Sequence, residues 1–246
     1  MSFDGQRVVI IGASAGIGEA AARAFAARGA AVTITGRSKE RLDQAAQRIG
    51  QPVLAAKLDA TSRGALDAFF ATTGTIDHLV LSASPGAVGV GPIATLDEAA
   101  LRQAFDGKFF AHVKAIQAAL PRLRRDGSVT LVTAASARAA FAGAAGIAAV
   151  NGALETMVAP LAVELAPLRV NAVSPGVIDT HWWNALPEDQ RRAYFESVAA
   201  VSPVGRVGKP DDVAEAIVYL ADADFVTGTV LECTGGFNLT AAALAS

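Results

Sequence analysis

The chain has 246 residues, 21 Lys plus Arg against 23 Asp plus Glu, and a formal net charge of −2. That balance argues against nucleic-acid binding through a basic surface, which needs clustered cations. A single cysteine, Cys233, excludes a disulfide framework within the chain and a Cys-ligated zinc site, and the three histidines (His78, His112, His181) show no metal-ligand spacing. No window reaches the roughly 20 uninterrupted apolar residues of a membrane span, and no basic segment with an apolar run and cleavage site opens the chain. The expectation is a cytoplasmic globular protein with no membrane and no nucleic-acid partner.

In chain order, Arg7 to Ile11 reads as a buried strand, followed by glycines and an alanine-rich helix from Glu19 to Arg28. Ala31 to Thr35 is a second strand and Lys39 to Ile49 a second helix. Pro52 to Leu58 and Arg63 to Ala71 repeat the pattern, and Asp77 to Ser82 is a fourth strand. A long helix is expected from about Asp97 to Leu120, ended by Pro121. Then come strand Ser128 to Thr133, helix Gly146 to Leu165 with a kink expected at Pro160, and strand Arg169 to Ser174. Ile178 to Arg206 reads as irregular, with a short helix at about Glu188 to Val198. Helix Asp211 to Leu220 and strand Thr229 to Glu232 close the pattern. Apolar strands without polar alternation, separated by helices, specify a parallel sheet covered on both faces. The expectation is an α/β fold: a single Rossmann-type, doubly wound parallel sheet of about seven strands. It would form one domain over residues 1–246, with a substrate-loop insertion at about 180–206.

Between the first strand and helix lies Gly12-Ala13-Ser14-Ala15-Gly16-Ile17-Gly18. After a strand and before a helix, this spacing suits a dinucleotide pyrophosphate. Gly12 would make the tight turn, Gly16 would admit the phosphates, and Gly18 would let helix pack on strand. A plain βα turn would need only one or two glycines. At the end of the second strand, Thr35-Gly36-Arg37-Ser38-Lys39 carries two cations and no carboxylate. A carboxylate there would accept from the ribose of NAD, whereas a guanidinium forks onto the extra phosphate of NADP. NADP is therefore expected over NAD, Arg37 as a solvated helix-start residue being the alternative.

With these motifs in order, the chain resembles the short-chain dehydrogenase/reductase family along essentially its whole length. The resemblance implies that Asp59 and Ala60 meet the adenine, that Ser82 and Ala83 follow strand four along the cofactor, and that Pro175, Gly176, Val177, Ile178 and Thr180 run along its nicotinamide end. With Gly12, Ser14, Ala15, Gly16, Ile17, Gly18 and Arg37, these complete the expected cofactor-binding set. Gly205 to Ala214 and Thr227-Gly228…Gly235-Gly236 also match the family pattern.

The family transfers hydride at a nicotinamide with a Ser, a Tyr, a Lys four residues after the Tyr, and an Asn on the preceding long helix. Register places Ala134 at the Ser, Ile147 at the Tyr, Asn151 at the Lys and Asp106 at the Asn. None of the four identities is retained, so the catalytic residues stay unknown. A positioned general acid is worth roughly 10²–10⁴-fold, which Ile147 cannot supply. Tyr219 reads as structural, and Tyr194, in the loop before Arg206, as packing with a lesser claim to a ligand. Ser136, His112 and Lys114 are weaker catalytic candidates.

Two functions follow. One is an NADP(H)-dependent oxidoreductase acting on a small organic substrate with non-standard proton handling. A cationic, iminium-type substrate would be favoured by a lost lysine, by Asp106 and by the faces of Trp182, Trp183 and Phe195; packing of a lid is the plainer use of those rings. The other is a catalytically inactive nucleotide-binding sensor, or a partner subunit of an active relative. The resemblance also implies a homodimer or homotetramer through the two long helices, with core burial competing for the same apolar residues.

Overall fold

A computed structural model describes residues 2–240. Seven strands form one parallel sheet: β1 (Arg7–Ile11), β2 (Ala31–Gly36), β3 (Val53–Lys57), β4 (Ile76–Leu81), β5 (Leu123–Val132), β6 (Arg169–Pro175) and β7 (Val230–Cys233), in the order β3-β2-β1-β4-β5-β6-β7. The order reverses between β1 and β4, and a crevice opens beyond the carboxyl ends of strands at such a switch point. β6 is buried at all seven positions, as a central strand covered on both faces must be.

The helices are α1 (Gly16–Ala26), α2 (Lys39–Ile49), α3 (Arg63–Thr72), α4 (Glu98–Ala104), α5 (Ala111–Ala119), α6 (Ala145–Glu164), α7 (Glu188–Val201), α8 (Pro210–Asp222) and a short α9 (Phe237–Thr240). One apolar cluster sits between the sheet and α1, α2 and α8, with Phe3, Phe25 and Leu42 at its centre. A second lies on the opposite face, where Leu66, Phe70, Leu154 and Val158 meet β4 and β5.

Several boundaries differ from expectation. α1 begins at Gly16 rather than Glu19, so Gly16 and Gly18 of the turn fall within its bounds. The expected long helix is not one regular helix: α4 and α5 are joined by a π-helical stretch, Phe105–Phe110. Gly107 lies in this stretch, where a Cβ would come within 2.8 Å of Pro85. α6 runs through the exposed Pro160 without ending. By length and composition α6 could cross a membrane, but it buries Val150, Leu154 and Val158 together with the polar Asn151 and Glu155. The stretch expected to be irregular after Ile178 is mostly helical: a 3₁₀ turn at His181–Ala185 leads into α7, which continues to Val201.

Candidate functional site

The carboxyl ends of the strands open into a cleft of about 580 Å³, a size suited to a small-molecule or cofactor site. Its floor is the β1–α1 turn. Gly12 has φ +90°, and a Cβ there would lie 2.6 Å from the Ala83 backbone nitrogen. A Cβ on Gly18 would fall 2.3 Å from the Gly12 carbonyl oxygen, so this glycine is where α1 packs onto the turn. Gly16, at φ +61°, lies at the cleft wall, where a Cβ would narrow the gap to the Thr180 methyl to 3.5 Å.

The start of α1 lacks a side-chain cap, as do those of α5, α6 and α7. Ser38, Ser62 and Asp97 cap α2, α3 and α4 with side-chain oxygens, but Ala15 leaves α1 with no side-chain cap. Uncapped N–H groups and the positive end of the helix dipole face the cleft, which suits an anion such as a pyrophosphate. The open side of Gly16 leaves room for it, so these residues fit a dinucleotide.

Of the expected cofactor-binding residues, eleven line the cleft: Gly12, Ala15, Gly16, Ile17, Arg37, Ser82, Pro175, Gly176, Val177, Ile178 and Thr180. The other five are not among its lining residues. Ser14 packs near Gly36, and Gly18 and Ala83 lie under the turn. Asp59 caps its own loop by accepting from the Thr61 amide at 2.9 Å and the Thr61 hydroxyl at 2.7 Å, which hold its carboxyl below the usual range; Ala60 follows it. Arg41, on the first turn of α2, joins Arg37 in the wall. Arg41 was not among the expected residues: Arg37 precedes the Ser38 cap and is not helical, so helical spacing does not connect the two.

At the other end of the cleft, Ala134, Ile147 and Asn151 all line the wall, beside Ser136 and Tyr194. Asp106 does not: it is exposed on the π-helical stretch. Lys108, two residues on, enters the cleft instead. Its Nζ donates to Asn151 Oδ1 at 2.7 Å and to the Thr133 carbonyl at 3.2 Å. Asn151 Nδ2 donates to Ser136 Oγ at 3.1 Å and to the Ile147 carbonyl at 2.9 Å. Thr133 Oγ1 donates to buried Glu155 at 2.8 Å, and Glu155 also accepts from Arg138 at 2.9 Å. Burial pushes the Lys108 ammonium down to about 8. The expectation of a cleft stripped of its amine, with a carboxylate in exchange, is therefore corrected. The π-helical stretch changes the register that a regular helix would have kept, because each wide turn holds one residue more than an α turn.

The remaining candidates separate clearly. His112 is fully buried, with Nε2 against the Ala83 carbonyl at 3.1 Å, and burial lowers its pKa to about 3. Lys114 bonds the Thr61 carbonyl at 2.9 Å, outside the cleft. Tyr219 is a half-exposed residue of α8. In the lid, the Trp183 indole donates to the Ile178 carbonyl at 2.9 Å and packs 5.0 Å from Tyr194 and 5.8 Å from Phe195. These rings are occupied with one another, as in lid packing. Burial pushes the Tyr194 phenol up, away from easy ionisation.

A seven-stranded parallel sheet with a glycine turn and a cleft at the switch point defines a Rossmann-type nucleotide-binding α/β protein. The family model described as enoyl-(acyl carrier protein) reductase matches residues 12–238, and the chain belongs to the short-chain dehydrogenase/reductase family, whose members are oxidoreductases using nicotinamide cofactors. It is 34% identical over 250 residues to cis-4-hydroxycyclohexanecarboxylate dehydrogenase of Sinomonas cyclohexanicum, covering 96% of this chain and 98% of that one. Galactitol 2-dehydrogenase (L-tagatose-forming) of Cereibacter sphaeroides is 32% identical over 251 residues, covering 96% of each chain. Among solved structures, a small-chain dehydrogenase in complex with NADPH superposes with a TM-score of 0.83 at 29% identity, covering 96% of this chain and 100% of that one. A short-chain dehydrogenase/reductase of Brucella melitensis gives a TM-score of 0.87 at 32% identity, covering 96% and 99%.

Proposed function

We propose that the protein is an NADP(H)-dependent oxidoreductase that holds a small organic substrate between the Ser136–Ile147 wall and the aromatic lid. The observation that carries this reading is the charge of the cleft. Arg37 follows β2, Arg41 sits on the first turn of α2, the uncapped start of α1 lines the same cleft, and among the described residues no Asp or Glu lines the wall. Two guanidinium groups suit a ribose 2′-phosphate, and a carboxylate suited to a free 2′-hydroxyl is missing. The NADPH in the similar solved structure supports the same choice. Bound there, a nicotinamide dinucleotide supplies or accepts hydride.

Proton handling differs from the family pattern, since Ala134 and Ile147 offer no acidic hydrogen where the resemblance places a serine and a tyrosine. A homodimer or homotetramer through the α4–α5 and α6 faces accords with exposed Phe110 and Val163, and size-exclusion chromatography with light scattering checks it.

Titration calorimetry tests the cofactor. NADP⁺ is expected to bind at least about tenfold more tightly than NAD⁺, as one charge-assisted phosphate contact provides, and Arg37→Asp is expected to reverse the order. Absence of affinity for either dinucleotide overturns the reading.

A further inference from the structure

The family places its lysine on the helix that carries Ile147 and Asn151, and its asparagine on the helix before. In this chain the two residue types have changed places across the cleft: Lys108 comes from the π-helical stretch and Asn151 from α6, and they bond at 2.7 Å. We infer that Lys108, aligned by Asn151, is the cation that grips the sugar hydroxyls of the dinucleotide half farthest from Arg37. This rests on the nicotinamide dinucleotide reading above.

An ammonium has three N–H donors. Two of those on Lys108 go to Asn151 Oδ1 and the Thr133 carbonyl, which leaves one for the cleft that the side chain lines. Neither acceptor carries charge, and Lys108 makes no ion pair among the described residues. The carboxylate facing it from α6, Glu155, is already engaged by Thr133 and Arg138. His112, one turn on in α5, is neutral and turned to Ala83, and Asp106 on the same π-helical stretch is exposed. A partly buried cation without a counter-charge is costly to keep unless something in the cleft uses it.

The orientation of Asn151 is settled by its partners. Lys108 demands an acceptor, so Oδ1 faces the amine, and Nδ2 reaches Ser136 and the Ile147 carbonyl. The amine is thereby held by both walls. The same cleft holds Arg37 and Arg41, the bare N-terminus of α1, and Lys108. A molecule with a phosphate, then a diphosphate, then a second sugar presents those groups in that sequence.

Calorimetry with two probes tests the assignment: NADP⁺, and adenosine 2′,5′-bisphosphate, which lacks the nicotinamide half. Lys108→Met is expected to weaken NADP⁺ by at least about tenfold, the usual worth of a hydrogen bond to a charged group, and to leave the bisphosphate unchanged. Arg37→Ala is expected to weaken both. Asn151→Ala, which keeps the lysine but frees it, is expected to show the same selective loss at smaller size, should Lys108→Met fold poorly. NADP⁺ affinity of the unaltered protein falls as pH rises through about 8, where the free ammonium loses its proton, and the Lys108→Met profile is flat there.

A readout without any cofactor accompanies this. Acetic anhydride labelling, mapped by peptide mass, is expected to modify Lys108 with a midpoint near pH 8, against about 10.4 for ordinary lysines, and NADP⁺ is expected to protect it. Lys108→Met binding NADP⁺ as tightly as the parent overturns the inference, as does equal loss of both probes in a variant, Lys108→Met or Asn151→Ala, that melts at the parent's temperature. If the parent binds neither probe, the dinucleotide reading itself falls and this inference with it. If the parent binds both and Lys108→Met is indifferent, only this inference falls.

Discussion

A missing methyl group at Gly18 holds the floor of the cleft together: a Cβ there would meet the Gly12 carbonyl oxygen at 2.3 Å, and neither helix nor turn can yield cheaply. Gly18→Ala is expected to cost at least about 2 kcal/mol, at the upper end of overpacking penalties, read as a lowered denaturant midpoint; an unchanged midpoint contradicts the packing described here. Buried histidines make the opposite kind of test. His78 bonds Ser128 at 2.8 Å and Gln6 at 2.6 Å, and burial lowers its pKa from 6.5 to about 4. Its folded pKa is depressed, so the unfolded chain binds the extra proton. Its contribution to stability is present above about pH 6.5 and is lost as pH falls from 6.5 toward 4. Melting temperature is therefore expected to drop by several degrees between about pH 7 and 5, and His78→Gln is expected to reduce that slope, buried His112, lowered to about 3, supplying the rest. A slope unaltered by the substitution would assign the acid sensitivity elsewhere.

Helix α6 shows how an element can be stable and still carry weak positions. It is apolar on much of its surface, yet it holds Gly152 in its interior, where an added Cβ would meet nothing within 4 Å. Gly152→Ala is expected to stabilise the protein by about 0.5–1 kcal/mol, because glycine loses more backbone freedom on folding than alanine does. Chemical denaturation reads this directly, and a destabilised variant would mean that the open side of Gly152 is covered by another chain. The π-helical stretch between α4 and α5 is the other element of note. π turns are rare and recur at functional sites, and this one carries the residue that enters the cleft.

At the scale of the whole molecule, cleft and fold are coupled by binding. A ligand that binds only the folded state stabilises it by RT ln(1 + [L]/Kd), about 2.7 kcal/mol at a hundredfold excess over Kd. NADP⁺ at that excess is expected to raise the melting temperature by roughly 5–10 °C for a chain of this size, with NAD⁺ at equal concentration giving a smaller shift. Equal shifts from the two dinucleotides would remove the role assigned to Arg37 and Arg41.

The residues by themselves determined the parallel α/β architecture. Apolar β-branched runs such as Arg7 to Ile11, separated by amphipathic helices, leave few other ways to bury both faces of the strands. They also placed eleven of sixteen expected cofactor residues in the cleft wall, because a glycine turn between strand and helix and a Pro-Gly pair after strand six are local features read one element at a time. What only the tertiary structure decided is the far end of the cleft. Asp106 and Lys108 are two residues apart on a stretch whose period is neither 3.6 nor regular, and which of them faces Asn151, 43 residues downstream, depends on a π turn held by contacts such as Gly107 against Pro85. Side-chain direction on a helix follows from counting residues per turn, and that count changed where the packing required it.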